Sequence, residues 1–366
     1  MDPDSKLNSS SAAIQMKHAH PRRYLFYVEH NYCYGILRPI QSILNKRGDE
    51  VAWLPVGSEF DHTYFRDDER VFGHVREAID WNPCSVMAPG NFVPNFIPGI
   101  KVMVTHGLIS EKRRKKDGVI YSFTERGLFD LYITHGPSTT IRWQQMSEDL
   151  GYFEVAECGW SKLDPLFNGS MKRNSSEVPL IYFASTFSPR LTAAPFLVNT
   201  IQEIAEKHHW KWLVHFHPKM PKKVTDLYRD IQSENLRVVE GHDTLQLLLD
   251  ADVMLCDTSS IISEFALLNK PVVTFRNQAP SPYMIDVQEG NMVGPALEQA
   301  LTRPQGIMQA IEAHILDTHP WRDGRSSERV VEATDRLVES GIGHLKAKPK
   351  NRIRHWKMRR ELDYFL

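Results

Sequence analysis

Residues 253–275 read VMLCDTSSIISEFALLNKPVVTF. Four apolar residues end abruptly at Asp257-Thr258-Ser259-Ser260, a helix-period stretch follows to Leu268, and Pro271 precedes a second β-branched run. A short apolar run bounded by polar residues reads as a buried parallel strand, so the segment is strand, loop, helix, strand. That is the repeating piece of a doubly wound sheet. Hydroxyls and backbone N–H groups opening a helix at a strand's end converge on one spot and favour an anion, and a phosphate fits. The same residue types also make an ordinary N-cap cluster. Glu264, one turn into the helix, is placed either to accept from ribose hydroxyls or to be solvated.

Upstream, the pattern repeats. Strands are predicted at 180–184, 211–215 and 236–239, with helices at 196–208, 222–232 and 244–250 between them. The first half carries strands at 24–28, 50–55, 85–88, 102–105 and 131–134, and a helix over 36–47 closed by Gly48. Residues 164–177 (DPLFNGSMKRNSSE) are rich in Asn and Ser and read as a linker. The 366-residue chain is long enough for two cores. The expected organisation is a flexible leader over 1–20, an acceptor-side Rossmann-like domain over 21–165, a donor nucleotide-binding domain over 175–335 and a basic tail over 336–366. Ligands of open α/β sheets bind outside the carboxyl ends of the strands, which predicts a cleft between two such domains.

A formal net charge of −1 names no partner and gives no reason to expect nucleic acid. Cys33, Cys84, Cys158 and Cys256 show no paired spacing and read as reduced cytosolic thiols. With no apolar run of membrane-spanning length, the expected location is the cytoplasm.

Four further segments carry candidate chemistry. HFHPK at 215–219 ends a strand, so one imidazole faces the strand's open end. His217 suits a diphosphate contact, His215 a core position, and no carboxylate or cysteine follows at metal-ligand spacing. ASTF at 184–187 follows the first strand of the second half and offers Ser185 and Thr186 to phosphates, with Arg190 beyond them. Thr105-His106-Gly107 places a histidine at a strand's carboxyl end, where it suits a general base; His135, in a similar setting, is the secondary candidate. Only His106 has a basic run beside it, EKRRKK at 111–116, from which Lys112 is a further candidate. Finally, 346–366 (KAKPKNRIRHWKMRRELDYFL) is basic and amphipathic, compatible with an anionic membrane surface at the inner face of the cell membrane or with packing back on the protein.

Taken in order, HG, YFASTF, HP and DTSSIISEFALLNKPVV resemble the CDP-glycerol glycerophosphotransferase family of teichoic-acid primases and polymerases, over about residues 100–335. The resemblance implies a GT-B fold and transfer of glycerol phosphate from a CDP-activated donor to a membrane-linked glycan or lipid acceptor, with CMP released. It implies His106 as base and His217 as diphosphate contact, with Asp257, Thr258, Ser259 and Ser260 as donor ligands. It implies no cofactor, although a divalent ion is compatible with it. Ser185 stands where that family usually has proline, HGLISEK replaces its usual HGTPLK-like stretch, and Arg190 is displaced from its expected arginine. The alternative is a GT-B glycosyltransferase or UDP-N-acetylglucosamine 2-epimerase-like enzyme using a UDP-sugar, since the same architecture and the same HP and hydroxyl-rich segments serve there. A non-catalytic membrane-associated scaffold is the third reading, disfavoured by the presence of His106, His217 and Asp257.

Overall fold

The computed structural model describes residues 20–57, 60–108, 123–174, 176–241 and 244–364. Its described residues form two compact units, one running from residue 20 to 165 and resuming over 321–364, the other within 166–320.

The first unit opens with β1 (Arg23–Val28), whose RYLFYV sequence is buried at every position after Arg23. A strand covered on both faces needs such an unbroken apolar run. Helix α1 (Tyr32–Arg47) ends at Gly48, whose φ of 89° lets its N–H reach the carbonyls of Leu44 and Asn45. There follow β2 (Glu50–Pro55), β3 (Arg70–Val71), α2 (Val75–Trp81), β4 (Ser85–Ala88), β5 (Ile100–Val104), β6 (Leu131–Thr134), α3 (Pro137–Leu150), β7 (Glu154–Glu157) and α4 (Asp164–Phe167). The strands pair in the order β3-β2-β1-β4-β5-β6-β7, all parallel. The order reverses between β1 and β4, which makes that pair the switch point of this sheet.

The second unit contains β8 (Leu180–Ser185), α5 (Ala194–Lys207), β9 (Lys211–Phe216), α6 (Lys222–Asp230), β10 (Leu236–Val238), α7 (Thr244–Asp250), β11 (Val253–Cys256), α8 (Ile261–Ala266), β12 (Val272–Phe275), β13 (Met284–Val287), α9 (Val293–Leu301) and α10 (Gln305–Thr318). Its sheet runs β10-β9-β8-β11-β12-β13, again all parallel, with the switch point between β8 and β11. Trp212, Val214 and Phe216 alternate into the core of this unit while His215 faces the other side of β9. Each unit is thus a parallel Rossmann-like sheet with helical crossovers.

The last part of the chain departs from the expected boundaries. Residues 321–366 cluster with the first unit, whereas the donor domain was expected to extend to 335 and the tail either to meet a membrane surface or to pack back on the protein. Two helices explain the return. In α11 (Ser326–Ser340), the N–H groups of Ser326 and Ser327 donate to the buried Asp164 carboxylate at 2.9 and 2.7 Å, and Asp335 accepts from the Tyr24 hydroxyl at 2.5 Å. In α12 (Arg352–Glu361), Met358 is buried, and the Arg359 guanidinium lies 4.5 Å from the Phe96 ring centroid. The basic tail therefore packs on the protein, while Ile353 and Trp356 remain exposed. No described helix is long and apolar enough to cross a membrane. The leader over 1–19, Lys112 and the EKRRKK run lie outside the described residues.

Candidate functional site

At the switch point of the second unit, Asp257 follows β11 and is fully buried. Its carboxylate accepts from the Ser185 hydroxyl at 2.5 Å and from the backbone N–H groups of Thr186 at 3.1 Å and Ala193 at 2.9 Å. Ser185 is also buried, 2.9 Å from the Thr192 hydroxyl. Burial pushes the Asp257 carboxyl up from its ordinary range, and the hydrogen bonds from Ser185, Ala193 and Thr186 pull it back. Both residues were expected to touch the donor. A carboxylate with no exposed surface and this many donors instead ties the exit of β8 to the start of α5, so Asp257 and Ser185 shape the rim from beneath.

What remains at the rim is polar and partly open. Thr186, Thr258, Ser259 and Glu264 are half-buried, and Ser260 is exposed. The Thr258 hydroxyl accepts from the Gln278 N–H at 3.0 Å, and the Asn277 amide donates to the Asp257 carbonyl at 2.7 Å. Asn277 and Gln278 follow β12 and are brought here only by strand pairing, so no local spacing announces them. Helix α8 is shorter than expected, running only from Ile261 to Ala266. Arg190 is exposed and makes no hydrogen bond or ion pair with a described residue.

His217 lies just beyond β9, exposed, with its ring 4.6 Å from that of Phe187 between centroids. The backbone N–H of Lys219 donates to its Nδ1 at 3.0 Å, so the neutral ring carries its proton on Nε2. Partial burial, then the nearby Lys219 ammonium, lower its pKa. In an imidazole NMR titration, His217 is expected to protonate below the ordinary midpoint of 6.5 and to keep Nε2–H as its donor at neutral pH. A midpoint at or above 6.5 would contradict this environment.

In the first unit, His106 follows β5 and its Nδ1 lies 2.8 Å from the Pro89 carbonyl oxygen. A carbonyl can only accept, so Nδ1 carries the proton and Nε2 holds the lone pair that a general base needs. The ring stacks on Tyr32 at 5.2 Å between centroids, and Tyr32 in turn lies 5.3 Å from His30. His135, by contrast, is 1% exposed against Trp160, which removes it as a base for a substrate. Among the described residues, no group of three or more His, Cys, Asp or Glu side chains is placed to hold a metal ion.

With this geometry in view, known proteins were compared. The family model described as UDP-N-acetylglucosamine 2-epimerase matches residues 184–335, which begins in β8 and takes in the whole β8–β11 rim. The UDP-N-acetylglucosamine 2-epimerase of Methanococcus maripaludis is 24% identical over 145 residues, covering 37% of this chain and 38% of that protein. The enzyme of the same name from Methanocaldococcus jannaschii is 23% identical over a stretch of the same extent. The matched stretch thus spans little more than a third of these relatives. Among solved structures, the wall teichoic acid polymerase TagF superposes with a TM-score of 0.62 at 13% identity, covering 88% of this chain and 90% of that one. The S. aureus MnaA–UDP co-structure gives 0.59 at 12% identity, covering 87% and 97%. A crystal structure of UDP-N-acetylglucosamine 2-epimerase gives 0.56 at 14%, covering 90% and 99%.

At such identities the solved structures show the fold, and the fold is GT-B. The expectation of a CDP-glycerol glycerophosphotransferase is corrected by the family model and by both curated relatives, which carry the name of the UDP-sugar alternative. The segments that suggested the teichoic-acid family, YFASTF, HP and DTSS, are strand exits of a Rossmann-like sheet. Their order follows from GT-B topology, which polymerase and epimerase share, and so does not discriminate between them.

Proposed function

We propose that the chain is an enzyme of the UDP-N-acetylglucosamine 2-epimerase type, acting on a UDP-sugar whose nucleotide is held by the second unit. The observation that carries this reading is the coincidence of the matched stretch, residues 184–335, with the β8–β11 switch point. Thr186, Thr258, Ser259 and Ser260 supply hydroxyls and backbone groups for the diphosphate, and Glu264 accepts from the ribose. His217 donates through Nε2–H to the diphosphate and offsets the charge on UDP from the breaking of its bond to the sugar until that bond is made again on the epimerised sugar. In the first unit, His106, whose Nδ1 carries the proton toward the Pro89 carbonyl, is the residue assigned to the proton at the sugar carbon. Asp257 and Ser185 hold the rim in shape. Arg190 stays at the margin of the phosphate site.

Thermal unfolding with added nucleotides tests the binding half. UDP and UDP-N-acetylglucosamine are expected to stabilise the protein by about 2.7 kcal/mol at a hundredfold excess over Kd, with no comparable effect from CMP or CDP-glycerol. Protection by the cytidine compounds alone would overturn the reading. The chemical half is read by proton NMR in D2O: an epimerisation at C2 that breaks the C–H bond exchanges that hydrogen with solvent. Retention of the C2 proton through many turnovers would remove His106 from its role.

A further inference from the structure

The switch point of the first unit is also built as a site. Where β1 gives way to β4, a cavity of about 840 Å³ opens beside Tyr27 and Glu29 from β1 and its exit and Phe92 beyond β4. Helix α12 closes its other side with Arg352, Lys357 and Met358. This volume suits a ligand of metabolite size, and the position is the one where open α/β sheets take their ligands.

The roof over this cavity is anchored on both sides of the cavity wall. Asn351 donates to the Arg126 carbonyl at 2.8 Å, and Arg354, itself in the lining, donates to the same carbonyl at 2.8 Å. Lys346 N–H donates to the Gly151 carbonyl at 2.8 Å, and Lys348 pairs with Asp130 at 2.5 Å. The cavity is therefore part of the fold of this unit.

The roof carries Arg352, Arg354 and Lys357 together with one carboxylate, Glu361, and the facing side carries Glu29. Arg352 and Lys357 are exposed at the roof and make no ion pair with a described residue. On the opposite side, Glu29 is packed so closely on Gly90 that a Cβ there would stand 2.3 Å from its Oε2. Burial, and then Glu361, raise the Glu29 carboxyl above its ordinary range. The unpaired cations select an anion, while a carboxylate wall repels a bare anion and accepts from hydroxyls. Between them, Tyr27, Phe92 and Met358 offer apolar surface to the face of a ring.

We infer that this crevice binds an anionic carbohydrate, a sugar phosphate or sugar acid, with its charged group on Arg352 and Lys357 and its hydroxyls on Glu29. The site lies within one unit and does not depend on the nucleotide reading of the other. Isothermal titration of the full chain with glucose 6-phosphate and with glucuronic acid tests it, using glucose and inorganic phosphate as controls. At least one of the two anionic sugars is expected to bind at least about tenfold more tightly than either control. The exposed pair Arg352→Ala and Lys357→Ala together should weaken it by at least about tenfold, the scale of charge-assisted hydrogen bonds. Glu29→Gln should weaken it by at least about threefold, because the amide loses one acceptor. Thermal protection by UDP should be unchanged in both variants, so failure of the nucleotide reading and failure of this one are separate results. Absence of binding by both anionic sugars, phosphate binding as tightly as they do, or affinity unchanged in the double variant would each overturn the proposal.

Discussion

Asp257→Ala is expected to destabilise the second unit by about 3 kcal/mol and to abolish UDP protection, although its side chain is fully buried. The substitution leaves the buried Ala193 N–H and the half-buried Thr186 N–H without their acceptor. Each stranded donor costs about 1–3 kcal/mol. Relief of the carboxylate's own desolvation, visible in its raised pKa, offsets part of the loss. The Ser185 hydroxyl still has Thr192 as a neighbour at 2.9 Å, which limits the damage there. The rim then loses the tie between β8 and α5, and Thr186 moves with it. Urea unfolding followed by a probe in the second unit measures the first effect, and UDP titration the second. Asp257→Asn should fall between, since it keeps one carbonyl acceptor and turns an NH2 toward groups that are themselves donors. Wild-type stability in Asp257→Ala would show that this carboxylate clasps nothing.

The same residue shows how far the sequence could be read. The strand ending at Cys256 was legible because a buried parallel strand must be apolar on both faces, and VMLC satisfies that without help from the rest of the chain. That Asp257 ends the strand was legible too, but its direction was not. Whether a carboxylate at a strand exit faces a ligand or folds under the loop depends on Ala193 and Thr186, sixty-four and seventy-one residues away, and on the β8–β11 pairing that brings them there. His106 and His135 look alike in sequence, each between Thr and Gly, yet one is exposed and the other packs against Trp160. The short strands β3 and β7 escaped notice because one has two residues and the other reads EVAE, with no apolar run to mark it. Donor identity was unreadable for a different reason: strand-exit hydroxyls recognise a phosphate, which CDP- and UDP-linked donors both carry.

The return of the chain to the first unit rests on a charge cluster no local pattern could announce, and breaking it should have the other large effect. Asp335→Ala is expected to cost about 3 kcal/mol in the first unit, at the lower end of what removing one partner from a buried ion pair does. Asp335 is 8% exposed and takes the Tyr24 hydroxyl at 2.5 Å, the Arg22 guanidinium at 3.2 Å, and a further bond from Arg47. Without it two guanidiniums face each other with less compensation, although Arg47 keeps Asp49 at 2.5 Å and Arg22 keeps Glu339 at 2.8 Å, which is why the upper end is not expected. Adding Arg47→Ala to the alanine variant should cost less than it does in the wild type, because the partner is already gone. Hydrogen exchange then locates the loss. If α11 anchors the returning segment, amides of α11 and α12 should lose protection before those of β8 and β11, and the crevice roofed by α12 should loosen with them. No loss in α12 would mean that the roof is held by the contacts of Asn351 and Lys348 alone, and uniform loss across both units would mean that α11 is not a local anchor.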